Sequence, residues 1–349
     1  MRKNSLLLLL IAFSVFAAAS DQSQNTIKQK YRNLEVGAFT IEKGVDLPAD
    51  YFAALPQEIV SQFQESKLFD RVSTAPTNVG QTTDPSLPAS PVLRMTGVIT
   101  AFHAGSRKGR YFGGAFNPGA QTQIYAYVQY VDAATNALIV ENEVVGTLSS
   151  GFGGGNSKNV VREFAESLVD TTKFIVLKPP LSAADEPPRV PDDAARETVE
   201  LSDSTFDATL SRVNDLASKG YRLLSFKTTS YKTANLVMAK AADTAQYQYA
   251  FFKAIMPGNI EKELNGKSLE GYRYRPHTMI LLKDRTFVIA ERDASASPAH
   301  YEYRLHATMR VGSAEKDIRN DQADGFVLVN CRNTSESHHM LLLEKKLEK

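Results

Sequence analysis

Val92-Leu-Arg-Met-Thr-Gly-Val-Ile-Thr-Ala-Phe102, Ile124-Tyr-Ala-Tyr-Val-Gln-Tyr-Val-Asp132 and Leu138-Ile-Val-Glu-Asn-Glu-Val-Val-Gly-Thr-Leu148 decide the fold. In the first, Leu93, Met95, Gly97, Ile99 and Ala101 alternate with Arg94, Thr96, Val98 and Thr100. In the second, Ile124, Ala126, Val128 and Tyr130 alternate with Tyr125, Tyr127, Gln129 and Val131. The third sets Val140, Asn142 and Val144 on one face and Glu141 and Glu143 on the other. A period of two sustained this long predicts half-buried antiparallel strands. Asp132-Ala-Ala-Thr-Asn136 is made of turn-forming residues and predicts a hairpin between the second and third.

The flanking sequence supplies the rest of this unit. Gln22–Arg32 reads as a loose polar leader and Asn33–Ile41 as a strand. Phe52, Leu55, Ile59 and Phe63 recur at gaps of three and four, the apolar face of a helix ending near Ser66. Pro48 suits its start, while Pro56 moves the expected start towards Leu55. Leu68–Val72 predicts a short strand and Ser73–Ser90 a loop. Asn159–Phe174 predicts a closing helix that buries Val160, Val161, Phe164, Leu168 and Val169. The order β-α-β-β-β-β-α is an α+β arrangement with helices on one face of a mainly antiparallel sheet.

Several blocks here carry a resemblance. They are Asn33-Leu-Glu-Val-Gly-Ala-Phe-Thr40, Gly44-Val-Asp-Leu-Pro48, Glu65-Ser-Lys-Leu-Phe-Asp70, Gly105-Ser-Arg-Lys-Gly-Arg-Tyr-Phe112, Val131-Asp-Ala-Ala-Thr135 and Arg162-Glu-Phe-Ala165. Together, over roughly residues 30–175, they resemble the bacterial domain-of-unknown-function family 4410. The resemblance implies an exported envelope protein with no assigned activity. Members are often lipoproteins, and this chain departs from them in having no lipid-attachment cysteine. The element order is also similar to small envelope domains of curli-secretion subunits and of lipoproteins that bind cell-wall synthases. That second likeness is one of fold and does not transfer function.

Beyond a proline-rich stretch the chain repeats itself. Val213-Asn-Asp-Leu-Ala-Ser-Lys-Gly-Tyr-Arg222 aligns with Leu264-Asn-Gly-Lys-Ser-Leu-Glu-Gly-Tyr-Arg273 and with Ile318-Arg-Asn-Asp-Gln-Ala-Asp-Gly-Phe-Val327. Gly220, Gly271 and Gly325 are spaced 51 and 54 residues apart. Tyr247-Gln-Tyr249 recurs as Tyr301-Glu-Tyr303, and Leu236-Val-Met238, Phe287-Val-Ile289 and Leu341-Leu-Leu343 take equivalent places. The reading is three α-β-β-β repeats, each helix ended by a left-handed glycine. Glu197–Leu201, ahead of the first helix, is expected to supply the last strand of the third repeat and close a ring.

Met1–Ser20 joins Arg2 and Lys3 to an apolar run from Leu6 to Ala19, with small residues at its end, the pattern of a secretory signal. The run is short for a span, which takes roughly 20 residues, so export to the periplasm or beyond is expected, with no transmembrane span. At 349 residues the chain exceeds one typical domain. It divides into a signal (1–20), an α+β envelope domain (21–176), a proline-rich linker (177–203) and a repeat domain (204–349). A net charge of +1 lacks the basic excess of a nucleic-acid binder. Cys331, the one cysteine, lies in an apolar strand pattern and reads as a buried structural thiol.

No G-x-S-x-G elbow and no H-E-x-x-H pattern occurs. His103, His277, His300 and His306 have no acidic or cysteine partner at ligand spacing. His338-His339 reads as an exposed hairpin tip, because neighbours on a strand point to opposite faces. The expectation is therefore a protein that is not an enzyme and uses no cofactor and no metal. Its binding candidates are Arg107, Lys108, Arg110, Tyr111 and Phe112, within the glycine-rich Gly105–Gly119. The cations suit an anionic partner, the rings can stack, and a loop on a rigid sheet is where contacts gather. The alternative for this stretch is a flexible crossover beneath a helix. Ser149–Lys158 precedes a helix, but Asn156 stands where a P-loop needs glycine, so it reads as a joint. The expected partner is an envelope protein or a cell-wall component. The alternatives are an envelope hydrolase or transferase with an unfamiliar site, and a homo-oligomer built through the repeats or the sheet edge.

Overall fold

The computed structural model describes residues 26–75, 91–106, 121–148, 159–179, 190, 193–243, 245–283, 285–308, 311–335 and 338–347. The signal segment and Gly151–Lys158 lie outside these residues, as do most of Ser73–Ser90 and most of the proline-rich stretch.

The first part runs α1 (Ile27–Lys30), β1 (Asn33–Ile41), α2 (Ala49–Ser66), β2 (Arg71–Thr74), β3 (Val92–His103), β4 (Thr122–Asp132), β5 (Leu138–Leu148) and α3 (Val160–Ile175). Its sheet has the order β2-β1-β3-β4-β5. β1 is parallel to β2 and β3, and the rest is antiparallel. The α+β class and the three opening strands are as the sequence predicts. From Thr26 on, the leader is not loose, however. Ile27 and Tyr31 are fully buried, and the Tyr31 hydroxyl donates to Asp132 at 2.8 Å. α2 starts at Ala49 and runs through Pro56. Pro56 lies on the exposed side, so its missing N–H leaves no buried carbonyl without a partner. Gly146 lets α3 lie against β5, since a Cβ there would meet the Phe164 backbone.

The second part runs β6 (Arg196–Ser202), α4 (Phe206–Ser218), β7 (Tyr221–Thr228), β8 (Thr233–Lys240), β9 (Tyr247–Ala254), α5 (Pro257–Ser268), β10 (Arg273–Tyr274), β11 (Ile280–Leu282), β12 (Arg285–Asp293), β13 (His300–Thr308), α6 (Val311–Ala323), β14 (Val327–Ser335) and β15 (His338–Leu347). Gly220, Gly271 and Gly325 have φ of 82°, 87° and 88°, the left-handed helix ends the repeat predicts. The phase of the repeat differs. β8 lies between β6 and β7, and β15 lies between β13 and β14. β12 likewise pairs with β9 on one side and with β10 and β11 on the other. Each unit is therefore β-α-β-β, the same elements begun one strand earlier. Glu197–Leu201 falls within β6, which pairs with β8 inside the first unit, so it does not complete the third.

The units are joined by one contact set used twice. Asn214 of α4 grips the Tyr249 backbone, accepting from its N–H at 2.9 Å and donating to its carbonyl at 3.1 Å. Asn265 of α5 does the same to Tyr303 at 2.8 and 3.0 Å. The Tyr249 hydroxyl accepts from the Leu223 N–H and donates to Glu291, and the Tyr303 hydroxyl accepts from the Tyr274 N–H and donates to Glu344. Arg222 pairs with Glu291 at 2.7 Å, and Arg273 with Glu344 at 2.8 Å. Ladder register makes Ala239, Glu291 and Glu344 equivalent, since they face Arg222, Arg273 and Val327. Val288-Ile289-Ala290, not Phe287-Val-Ile289, thus matches Leu236-Val-Met238. At the array's ends the set is broken. The third unit has Arg319 and Val327 in place of the asparagine and arginine, and the first has Arg196 and Ala239 in place of the tyrosine and glutamate.

The third unit packs on the first part instead. Ile318, Phe326, Leu328, Leu341 and Leu343 share one apolar core with α3 and the first sheet. Cys331 joins that core, and its thiol is pushed up to about 12 by burial, against the smaller opposing pull of Lys178. His339 is buried rather than at an exposed tip, its ring 5.0 Å from that of Phe174. Both ends of the proline-rich stretch are structured: at its start the Leu177 carbonyl accepts from Gln322 and Lys178 donates to the Val329 carbonyl, and its end lies in β6. Among the described residues, no helix is long and apolar enough to cross a membrane.

The joint makes a direct prediction. Tyr303→Phe strands the Tyr274 N–H and removes a donor from Glu344, so denaturant unfolding should show a loss of about 1–3 kcal/mol. An unchanged midpoint would mean that the joint contributes nothing to stability.

Candidate functional site

Arg107, Lys108, Arg110, Tyr111 and Phe112 lie outside the described residues. The stem of their loop is described. The Thr122 hydroxyl donates to the Ala104 carbonyl at 2.7 Å, tying the end of β3 to the start of β4. His103, at the end of β3, has its ring 5.3 Å from that of Tyr231 in the first repeat unit. The loop thus leaves the sheet where the sheet meets the repeats.

That meeting place holds buried charge that the sequence patterns leave unassigned. Alternation puts Glu141 and Glu143 on the face of β5 opposite the helices. The alternation predicts a half-buried strand. β5 is instead covered on both faces, and Glu141 and Glu143 are 6% and 8% exposed. All three repeat units converge on Glu143 and its partner Arg332. From the first unit, the Thr228 N–H and hydroxyl each donate to its carboxylate at 2.9 Å. From the third, Arg332 Nη1 pairs with it at 2.7 Å. From the second, the Met279 carbonyl accepts from the same Nη1 at 2.9 Å. Beside this pair, Asn142 on the helix-side face donates to the Cys331 carbonyl at 2.7 Å. β14 thereby covers the outer edge of β5, the last strand of its sheet.

Two small crevices flank the pair. One lies among Tyr127, Glu141, Phe226, Arg275 and His277. The Tyr127 phenol there is driven strongly up, chiefly by burial and then by the adjacent Glu141. His277 adopts a left-handed backbone with φ 63°. Its Nε2 is shielded and has no partner among the described residues. Burial, then Lys178 and Arg275, hold its pKa well below 6.5. The other crevice lies among Gln123, Tyr125, Tyr231, Lys283 and Arg332. Each has about 20 Å³ of free volume, room for water or one small group and far below a typical ligand cavity. Two carboxylates side by side on a strand resemble an acid–base pair, but Glu143 is already saturated by partners. The signal for this seam was present in the sequence: two acids on one face of a core strand, and an arginine in an apolar strand.

No family model matches the chain, and no curated protein matches it. Solved structures give distant likenesses over about two fifths of the chain. A dodecamer of PelC from Paraburkholderia phytofirmans has 13% identity and a TM-score of 0.26, covering 40% of this chain and 87% of that one. A neuraminyllactose-binding hemagglutinin homolog from Helicobacter pylori has 13% identity and a TM-score of 0.25, covering 42% and 82%. A lipoprotein from Caulobacter crescentus has 9% identity and a TM-score of 0.22, covering 43% and 92%. Similarity at this level carries no functional argument.

Two outcomes follow from the seam. Arg332→Met leaves a buried carboxylate uncompensated and should cost about 3–5 kcal/mol in denaturant unfolding. The double variant with Glu143→Met should lose less than the two single losses added together, whereas strict additivity would show the pair to be uncoupled. His277 binds fewer protons folded than unfolded, so its contribution is full above pH 6.5 and is lost on acidification below it. Stability measured from pH 7 to 5 should therefore fall less steeply in His277→Asn, a residue that tolerates the left-handed backbone. An identical slope would remove His277 from that account.

Proposed function

We propose that this chain is an exported, non-catalytic binding or scaffolding protein of the bacterial cell envelope, acting in the periplasm or outside the cell. The leader Met1–Ser20, read as a secretory signal, and the sequence blocks that resemble domain-of-unknown-function family 4410 support export. The observation that carries the non-catalytic reading is the state of the two acids on the central sheet. Glu143 is consumed by Arg332 and Thr228, and the crevices beside it have no room for a sugar or peptide substrate. A hydrolase or transferase working through this pair would need one of the two carboxylates free to reach its substrate's proton.

In this reading the Gly105–Gly119 loop is the contact element. Arg107, Lys108 and Arg110 meet an anionic surface of an envelope protein or cell-wall component, and Tyr111 and Phe112 stack on it. The repeat units brace the sheet that carries the loop. Association of the array through its own joint is disfavoured, because Arg319, Val327, Arg196 and Ala239 occupy the terminal joint positions. A homo-oligomer would have to use another surface.

Cross-linking in cells tests this. The mature protein should capture one dominant envelope component, and the combined variant Arg107→Ala, Lys108→Ala, Arg110→Ala and Tyr111→Ala should lose it while keeping its far-UV spectrum. Full capture by the variant would sink the loop assignment. Turnover of wall or glycan fragments by the purified protein would sink the non-catalytic reading.

A further inference from the structure

We propose that the crevice between the first sheet and the repeat units, walled by Gln123, Tyr125, Tyr231, Lys283, Arg332 and Asn333, binds a carboxylate group. Arg332 is the reason. It is 2% exposed, and it spends Nη1 on Glu143 and the Met279 carbonyl. Its Nε and Nη2 are buried and have no partner among the described residues. These two N–H groups form one edge of the guanidinium, the fork that takes a carboxylate through two parallel bonds. Buried charged donors are rarely left unmet, so the edge has an occupant.

Charge and size choose between occupants. Arg332 carries its charge into the crevice wall, and Lys283 adds a second cation to the lining. Among the described lining residues none is acidic. An anion therefore gains over neutral water. The space of about 20 Å³ suits a flat carboxylate head better than a bulkier tetrahedral phosphate. Tyr125 does not compete, since its hydroxyl is committed to Gln123 at 2.8 Å. Asn333 Oδ1 is also buried without a partner, and the opposite amide rotamer offers its NH2 to the ligand. Lys283 is exposed, held in a left-handed turn by its N–H bond to the Tyr231 carbonyl at 2.7 Å, and guides the anion in. The site requires none of Arg107–Phe112 and stands whether or not that loop binds a partner.

The test is thermal unfolding of the mature full chain in rising sodium acetate, against chloride and phosphate at matched ionic strength. Acetate should raise the Tm saturably and chloride should not. Arg332→Lys, which keeps a cation for Glu143 but has no fork, should abolish the rise. Lys283→Ala, at an exposed position that leaves the fold intact, should raise the apparent acetate Kd several-fold. Should Arg332→Lys fail to fold, the Arg332 Nε–H resonance of the unsubstituted protein decides: it should move on acetate titration. Equal rises in all salts, a saturable rise with phosphate alone, no response to acetate, or an unchanged response in Lys283→Ala would each overturn the site.

Discussion

The buried pair between Glu143 and Arg332 is the constraint on which the arrangement of the chain depends. Their side chains are 7% and 2% exposed, at a separation of 2.7 Å. Taking two charges out of water is costly, and such a pair holds only with good geometry and further hydrogen bonds. Glu143 meets that condition through Thr228, and Arg332 meets part of it through the Met279 carbonyl. The first and third units are thus bonded directly to a single strand of the first sheet, and the second reaches it through Arg332. Apolar packing alone would tolerate small slips of the repeats across this sheet. A charged pair with directed bonds tolerates far less, and so sets where the repeats sit.

The joints between units explain why there are three and why the third ends on the first sheet. Each joint needs an asparagine and an arginine on the leading unit, and a tyrosine and a glutamate on the following one. The first unit offers only the leading half and the third only the following half. The array therefore has a direction and two ends. At the far end of the described array lies the apolar face of α6, β14 and β15. The first part covers it with α3, and in exchange the outer edge of β5 gains β14 as a cover. An exposed sheet edge is a hazard for unwanted pairing, and here the repeats remove it.

This division bears on function. The sheet face that could have held an open acidic cleft is filled by the repeats, leaving two small polar crevices. What remains of the first sheet for a partner lies at its loops, above all where β3 and β4 part beside Tyr231. A rigid sheet, clamped from both faces, is a suitable base for a contact loop, and no moving part is required of it.

Much of the fold was legible in the sequence, for reasons of local chemistry. Period-two alternation determined β3, β4 and β5. Apolar spacing of three and four residues determined α2 and α3. Three recurring glycines marked the helix ends of the repeats, because only the left-handed conformation turns each helix into its strand there. Local pattern could not say that Ile27 and Tyr31 are core residues, that Pro56 sits inside a helix, or that Glu197–Leu201 pairs with β8. Those outcomes depend on partners distant in the chain. The same holds for the seam. On β5, Glu141 and Glu143 follow the rule that places acids in water, and Arg332 breaks the apolar pattern of its strand. Each looks ordinary or anomalous alone. Only the folded chain, which brings together residues 189 positions apart, turns the acid and the base into one buried pair and leaves one edge of the arginine open.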